Sequence, residues 1–149
     1  MSFQFLDQPA LRPIPGSEMY CLDEDYIIFL PVHKKRLKIW AGFVTDGASI
    51  PRTLWALIGN PFSPNVMAPA LVHDALYRAE LFPRRECDQE LSALMKMNGR
   101  AAANKAGAFY LGVRLGGWWV WFRHRKRSII QARELVEIID DAEVNPVFV

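Results

Sequence analysis

Residues 26–32 read Tyr-Ile-Ile-Phe-Leu-Pro-Val, a short β-branched and aromatic run, and His33, Lys34, Lys35 and Arg36 then interrupt it with polar character. Beyond the break Leu37, Ile39, Ala41 and Phe43 alternate with Lys38, Trp40, Gly42 and Val44. Period-two alternation on both sides of a polar break predicts an antiparallel hairpin over 26–44 with one buried face. Pro31 puts the first strand at an edge or marks its end. Upstream, Pro9, Pro13, Pro15 and Gly16 make 1–25 an irregular lead-in.

The period changes after the loop at 45–51. One helical turn is expected over 53–58, and 59–65 is loop, with Asn65 available as an N-cap. A helix runs from there to about Ala79, with Pro69 tolerated in its first turns. Pro83 stops it, and a second helix follows from about Arg85 to Met97, closed by Asn98-Gly99. A third spans 101 to about 122, interrupted or kinked near Gly116-Gly117. Ile129, Ala132, Leu135, Val136 and Ile139 recur at helical spacing, which predicts a fourth, amphipathic helix. The helix pair thus occupies 66–97 and a helical C-terminal part 101–141. The fold class is α+β, mostly α: a hairpin, an antiparallel helix pair and two further helices in one domain over 1–149.

Composition narrows the function. Of 149 residues, 51% are apolar, enough for a packed core. Eighteen Lys and Arg against 16 Asp and Glu leave a net charge of +2, too balanced for a nucleic-acid coat. Two cysteines exclude a disulfide-stapled scaffold and a four-cysteine zinc site. No basic segment followed by an apolar stretch opens the chain, so no signal peptide is expected. The longest apolar segment, 106–122, is split by Arg114, so no transmembrane helix is expected either.

His73 is the informative histidine, inside the apolar helical run Ala68-Pro69-Ala70-Leu71-Val72-His73-Asp74-Ala75-Leu76-Tyr77. His73 and Tyr77, four apart, share a helix face, with Asp74 about 100° round. On the next helix, Leu91 and Met95 define a stripe, and Asp88 falls on it. A carboxylate on a buried stripe is costly unless paired. The short link makes the two helices antiparallel neighbours, so Asp88 can face His73 and Tyr77. A carboxylate holding one imidazole nitrogen fixes the tautomer and leaves the other nitrogen free as a base. Tyr77 can donate to the same carboxylate, and Asp74 is free to hold a cation. The same set also serves as a structural clamp locking two helices together.

His73-Asp74-x-x-Tyr77 followed by Cys87-Asp88-x-x-Leu91 resembles the helix-pair signature of the phospholipase A2 superfamily, in the style of the disulfide-free variant of parvovirus capsid proteins. The resemblance covers about 66–97. It implies His73 as general base activating water, Asp88 as its orienting carboxylate, Asp74 as a calcium ligand and Tyr77 as support. Over about 40–122, Phe43-Val44-Thr45-Asp46-Gly47-Ala48-Ser49-Ile50-Pro51, Trp55, His73-Asp74-Ala75-Leu76-Tyr77 and Asp88 resemble a family of small uncharacterised phage and prophage proteins. That resemblance implies a viral origin and a place in host cytoplasm or virion, without an activity. The phospholipases carry a glycine-rich calcium loop before the helix, where this chain has only Gly42 and Gly47.

An oxygen-rich loop of Asp46, Ser49 and carbonyls, supported by Thr45 and Gly47, joins Asp74 as a candidate hard-cation site. Calcium is the expected cofactor, with zinc on His73, Asp74 and Asp46 the alternative; metal-plus-base hydrolysis accommodates either. Asp46-Gly47 is equally a turn signal. A His-Asp phosphohydrolase needs further histidines, and only His33 and His124 remain, both expected at the surface. Cys87 is expected to pack as a small apolar group.

Trp118, Trp119 and Trp121 run into Arg123, His124, Arg125, Lys126 and Arg127. Aromatics beside a cationic cluster suit a membrane surface or a protein partner, such as other virion proteins. They equally suit a core flanked by a solvated loop, and the basic run is no specific nucleic-acid signal. Two functions follow as expectations: a phage-encoded, phospholipase A2-like hydrolase acting on a lipid or other ester, or a non-enzymatic virion, tail-associated or membrane-docking protein with His73, Asp88 and Tyr77 as a clamp.

Overall fold

The computed structural model describes residues 6–46, 55–56, 59–123 and 126–139; within the third and fourth helices the side chains of 119–120, 123 and 126–128 are not described. The fold is α+β, with antiparallel strands followed by helices. Strands β1 (Leu11–Pro13), β2 (Tyr20–Leu22), β3 (Tyr26–Leu30), β4 (Lys35–Ile39), β5 (Val44–Thr45) and β6 (Val136–Ile139) form two three-stranded sheets, ordered β1-β2-β5 and β3-β4-β6. Among the described residues the helices are α1 (Met67–Ala79), α2 (Arg84–Met97), α3 (Gly99–Arg123) and α4 (Lys126–Glu134); 55–56 are helical too, and the rest of the turn expected over 53–58 lies outside the described residues.

The hairpin forms where alternation predicts it, with Tyr26 opposite Ile39 and Leu30 opposite Lys35. Tyr26, Ile28 and Leu30 are buried while Ile27 and Phe29 face out, so one face packs on the core. The expected 26–44 boundary is too long. The second strand ends at Ile39, a turn through Gly42 at φ 95° follows, and Val44–Thr45 pairs with β2 in the other sheet. The lead-in is not irregular either. It supplies β1 and β2, and Pro13 is accommodated because β1 is an edge strand.

The predicted fourth helix is half strand. Helix α4 stops at Glu134, and Val136–Ile139 pairs with β4, Val136 opposite Ile39. Val136, Ile138 and Ile139 fit the helical period and β propensity alike, and the open edge of β4 offered a backbone ladder that decided between them. Asn65 does not cap α1: Val66 stands at the cap with no side-chain bond, while the Asn65 carbonyl accepts from Asn98 Nδ2 at 2.7 Å. The third helix runs through Gly116-Gly117 without interruption.

One buried cluster lies under the sheets, joining Leu30, Leu37 and Ile39 to Leu71, Leu76 and Tyr77. A second joins Val66, Ala70, Leu91, Met95, Ala106 and Phe109 between α1, α2 and α3. Arg133 on α4 donates to the carbonyls of Ala79 (2.7 Å) and Glu80 (3.2 Å), placing a cation at the C-terminus of α1 where the helix dipole favours one. These contacts fix α1, the helix that carries His73.

Candidate functional site

The turn between α1 and α2 is short because Glu80 adopts a left-handed conformation (φ 47°) and Pro83 stands at the N-cap of α2. It folds the two helices against each other, so residues one turn into α2 meet the middle of α1. His73, Asp74, Tyr77 and Asp88 all come to lie fully buried.

Asp88 is the hub. Its Oδ1 accepts from His73 Nε2 at 2.8 Å and from the Tyr77 hydroxyl at 2.5 Å; its Oδ2 accepts from Arg114 Nη1 at 2.9 Å. Burial alone would raise this carboxyl, but the bonds from His73, Tyr77 and Arg114 outweigh it and hold Asp88 below the ordinary carboxylate range. An ionised Asp88 accepts only, so His73 presents an N–H at Nε2, and in the neutral imidazole the lone pair falls on Nδ1. Nδ1 is buried and has no hydrogen-bond partner.

Tyr77 is fixed from every side. Its hydroxyl accepts from Arg84 Nε at 3.1 Å while donating to Asp88. Its ring lies 4.1 Å from that of His73 and meets the edge of Trp121 at 5.2 Å, centroid to centroid. Burial, followed by the bond to Asp88, pushes its ionisation upward, so it remains a neutral donor. Arg84 also reaches the carbonyls of Val113 and Arg114, tying α2 to α3. Helix α3 passes close because residue 117 is glycine: a Cβ there would stand 2.8 Å from the Tyr77 hydroxyl.

Asp74 faces elsewhere. Arg78, one turn on, donates to its Oδ1 at 3.1 Å and to Asp46 Oδ1 at 3.2 Å, bridging the two carboxylates expected to share a metal. Burial raises the Asp74 carboxyl; Arg78 opposes this, nearby Asp46 adds to it, and Thr45 hydrogen-bonds to the charged form. Arg78 is raised despite burial, because both aspartates face it. Among the described residues this donor set does not fit calcium or zinc. The carboxylates that would converge on the ion already converge on a guanidinium, and His73 gives Nε2 to Asp88. Gly47 and Ser49 lie outside the described residues, as does Arg125.

The structure therefore brings together His73, Asp88 and Tyr77 as the sequence suggested, and places Asp74, Thr45 and Asp46 around Arg78. It separates the tryptophans: Trp118 is exposed, whereas Trp121 is half-buried against Tyr77. Of Trp119, Arg123, Lys126 and Arg127 only the backbone is described. Cys87 is buried with its thiol pushed up by burial, in keeping with an apolar packing role. The sequence reading missed Arg114, Arg84, Arg78 and Gly117. For Arg114 a signal existed: a lone charge in a long apolar run needs a partner for the same reason that lone Asp88 does.

A second cluster was also missed. His33, expected at the surface, is largely buried and stacked on Phe82 at 3.6 Å. Its Nδ1 bonds Glu90 at 2.7 Å and its Nε2 bonds Glu86 at 2.8 Å. Glu90 also accepts from the backbone amides of Val32 and His33, pinning the hairpin turn to α2.

Comparison with known proteins adds the family. DUF1353, described as a protein of unknown function, matches residues 20–113, well over half of the chain. The chain belongs to the DUF1353 family. No curated protein and no solved structure matches it. The DUF1353 stretch contains Asp46, His73, Asp74, Tyr77, Arg78, Arg84 and Asp88, and it ends one residue before Arg114.

Proposed function

We propose that this DUF1353 protein is a phage-encoded ester hydrolase of the phospholipase A2 kind, with His73 as its base. The observation that carries this reading is the asymmetry of one buried imidazole: Nε2 held by Asp88 and Nδ1 left without a partner. Buried polar atoms are almost always paired, and an unpaired one calls for an explanation. Nδ1 takes a proton from water as the hydroxide attacks the ester carbonyl, and the resulting imidazolium returns that proton to the departing alkoxide as the tetrahedral intermediate collapses. Ionised Asp88 stabilises the imidazolium, and Tyr77 and Arg114 keep Asp88 in place. No step is assigned to calcium, since Arg78 stands between Asp74 and Asp46. The site as it stands is closed, so a substrate reaches Nδ1 only when the packing above it shifts.

The complete burial of His73 and Asp88 favours a second reading, a virion or tail-associated protein in which the same network only locks α1 to α2 and α3. One comparison separates them: ester hydrolysis and thermal melting of the wild type and His73→Gln, each with calcium and with a chelator. The hydrolase reading expects a loss of about 100-fold or more in turnover, a melting temperature close to wild type, and no response to chelation. A wild type without turnover, together with a His73→Gln chain that no longer folds, gives the protein to the clamp.

A further inference from the structure

Helix α3 carries a second feature, remote in kind from the buried network. Leu111, Leu115, Trp118 and Phe122 are spaced four, three and four apart, which puts them on one stripe about 16 Å long. All four are exposed, Leu115 at 66% and Phe122 at 77%. Trp118 and Phe122 lie edge to face at 6.4 Å, so the stripe ends in an aromatic pair. A contiguous row of large apolar side chains in water marks a contact surface.

Charge identifies what it contacts. From 99 to 133 every charged residue is Lys or Arg, with no Asp or Glu, and the aromatic end runs directly into Arg123-His124-Arg125-Lys126-Arg127. A second copy laid on this helix in either direction would set cation against cation, because the N-terminal half contributes Arg100 and Lys105. An anionic surface is complementary to the basic run that follows the aromatic end and to Arg100 and Lys105 before the stripe. Aliphatic residues continuing into Trp and Phe beside a basic run match a bilayer boundary, where acyl chains give way to headgroups. Among the described residues no helix is long and apolar enough to cross a membrane, so the contact is lateral. We infer that the 111–122 face of α3 docks the protein onto an anionic lipid surface. The inference stands apart from hydrolysis, since none of these four residues belongs to the His73 network.

The test is sedimentation of the full chain with vesicles of phosphatidylcholine alone or mixed with phosphatidylglycerol, read without reference to turnover. The wild type is expected to sediment with the mixed vesicles, to bind the neutral ones less, and to release as salt rises. Leu115→Ser with Phe122→Ser should weaken binding ~tenfold or more at an unchanged melting temperature, because both side chains are exposed. Each single variant provides a graded check. Binding by the variants equal to wild type overturns the inference, as does a wild type indifferent to phosphatidylglycerol. A Leu115-dependent dimer, or capture by an acidic polypeptide, in place of vesicle binding also overturns it.

Discussion

Two histidines of this chain sit against carboxylates of the same helix, α2, and the contrast between them bears on function. His33 is gripped at both ring nitrogens, by Glu90 and Glu86, and its ring is stacked on Phe82. With a carboxylate oxygen at each nitrogen, both ring nitrogens of His33 are engaged and neither is left to react. His73 is gripped at one nitrogen by Asp88, which is held in turn by Tyr77 and Arg114, and its other nitrogen has no partner. A clamp pairs both nitrogens of an imidazole it buries, because each unpaired one costs stability. By that standard the His33 ring is a clamp, although Oε2 of its partner Glu90 is itself buried without a partner. His73 departs from it at the single atom a base requires.

The largest predicted effect breaks the His73 side of this comparison at its hub. Asp88→Ala strands Arg114 and Tyr77 together with His73, and removing one member of a buried charged network costs about 3–5 kcal/mol. Urea unfolding should show that loss. A change below about 1 kcal/mol would mean that Asp88 is not the anchor its three bonds describe. On the other side, His33→Ala should cost less, about 1–3 kcal/mol, because Glu90 keeps the amides of Val32 and His33 after the imidazole is gone. Ester hydrolysis should survive that substitution when measured well below the melting temperature. Turnover lost in His33→Ala and retained in His73→Gln would reverse the assignment of clamp and base.

The difference in what was legible has a physical basis. Within a helix the period fixes which residues share a face, so His73, Tyr77 and the Asp88 stripe could be placed from spacing alone, and the short link brought the two helices together. Arg114, Arg84 and His33 enter from other elements, and their contacts depend on how those elements pack. Val136–Ile139 shows the same limit: the local pattern fits helix and strand alike, and pairing with β4, nearly a hundred residues earlier, decides. Between Asp74 and Asp46, where a metal ion was expected, Arg78 supplies a positive charge, because it lies one turn from Asp74 and is long enough to reach both.

The smallest effect is a pair of opposite slopes, and it sharpens the comparison within the site itself. Asp88 is held below its ordinary range, so between its folded value and about 3.9 the unfolded chain binds more protons. Its contribution to stability is present above that range and is lost as pH falls through the folded value. Asp74 is raised by burial, so from about 3.9 upward the folded chain binds more protons, and its contribution declines as pH rises through the folded value. Unfolding free energies measured across the acid range should therefore diverge. Relative to wild type, Asp74→Asn gains stability with increasing pH, whereas Asp88→Asn loses it. Arg78 retains Asp46 in the first variant, which limits the disturbance. Parallel slopes would mean that both carboxylates are ordinary ion-pair partners, and the hub at Asp88 would lose its distinction from the bridge at Arg78.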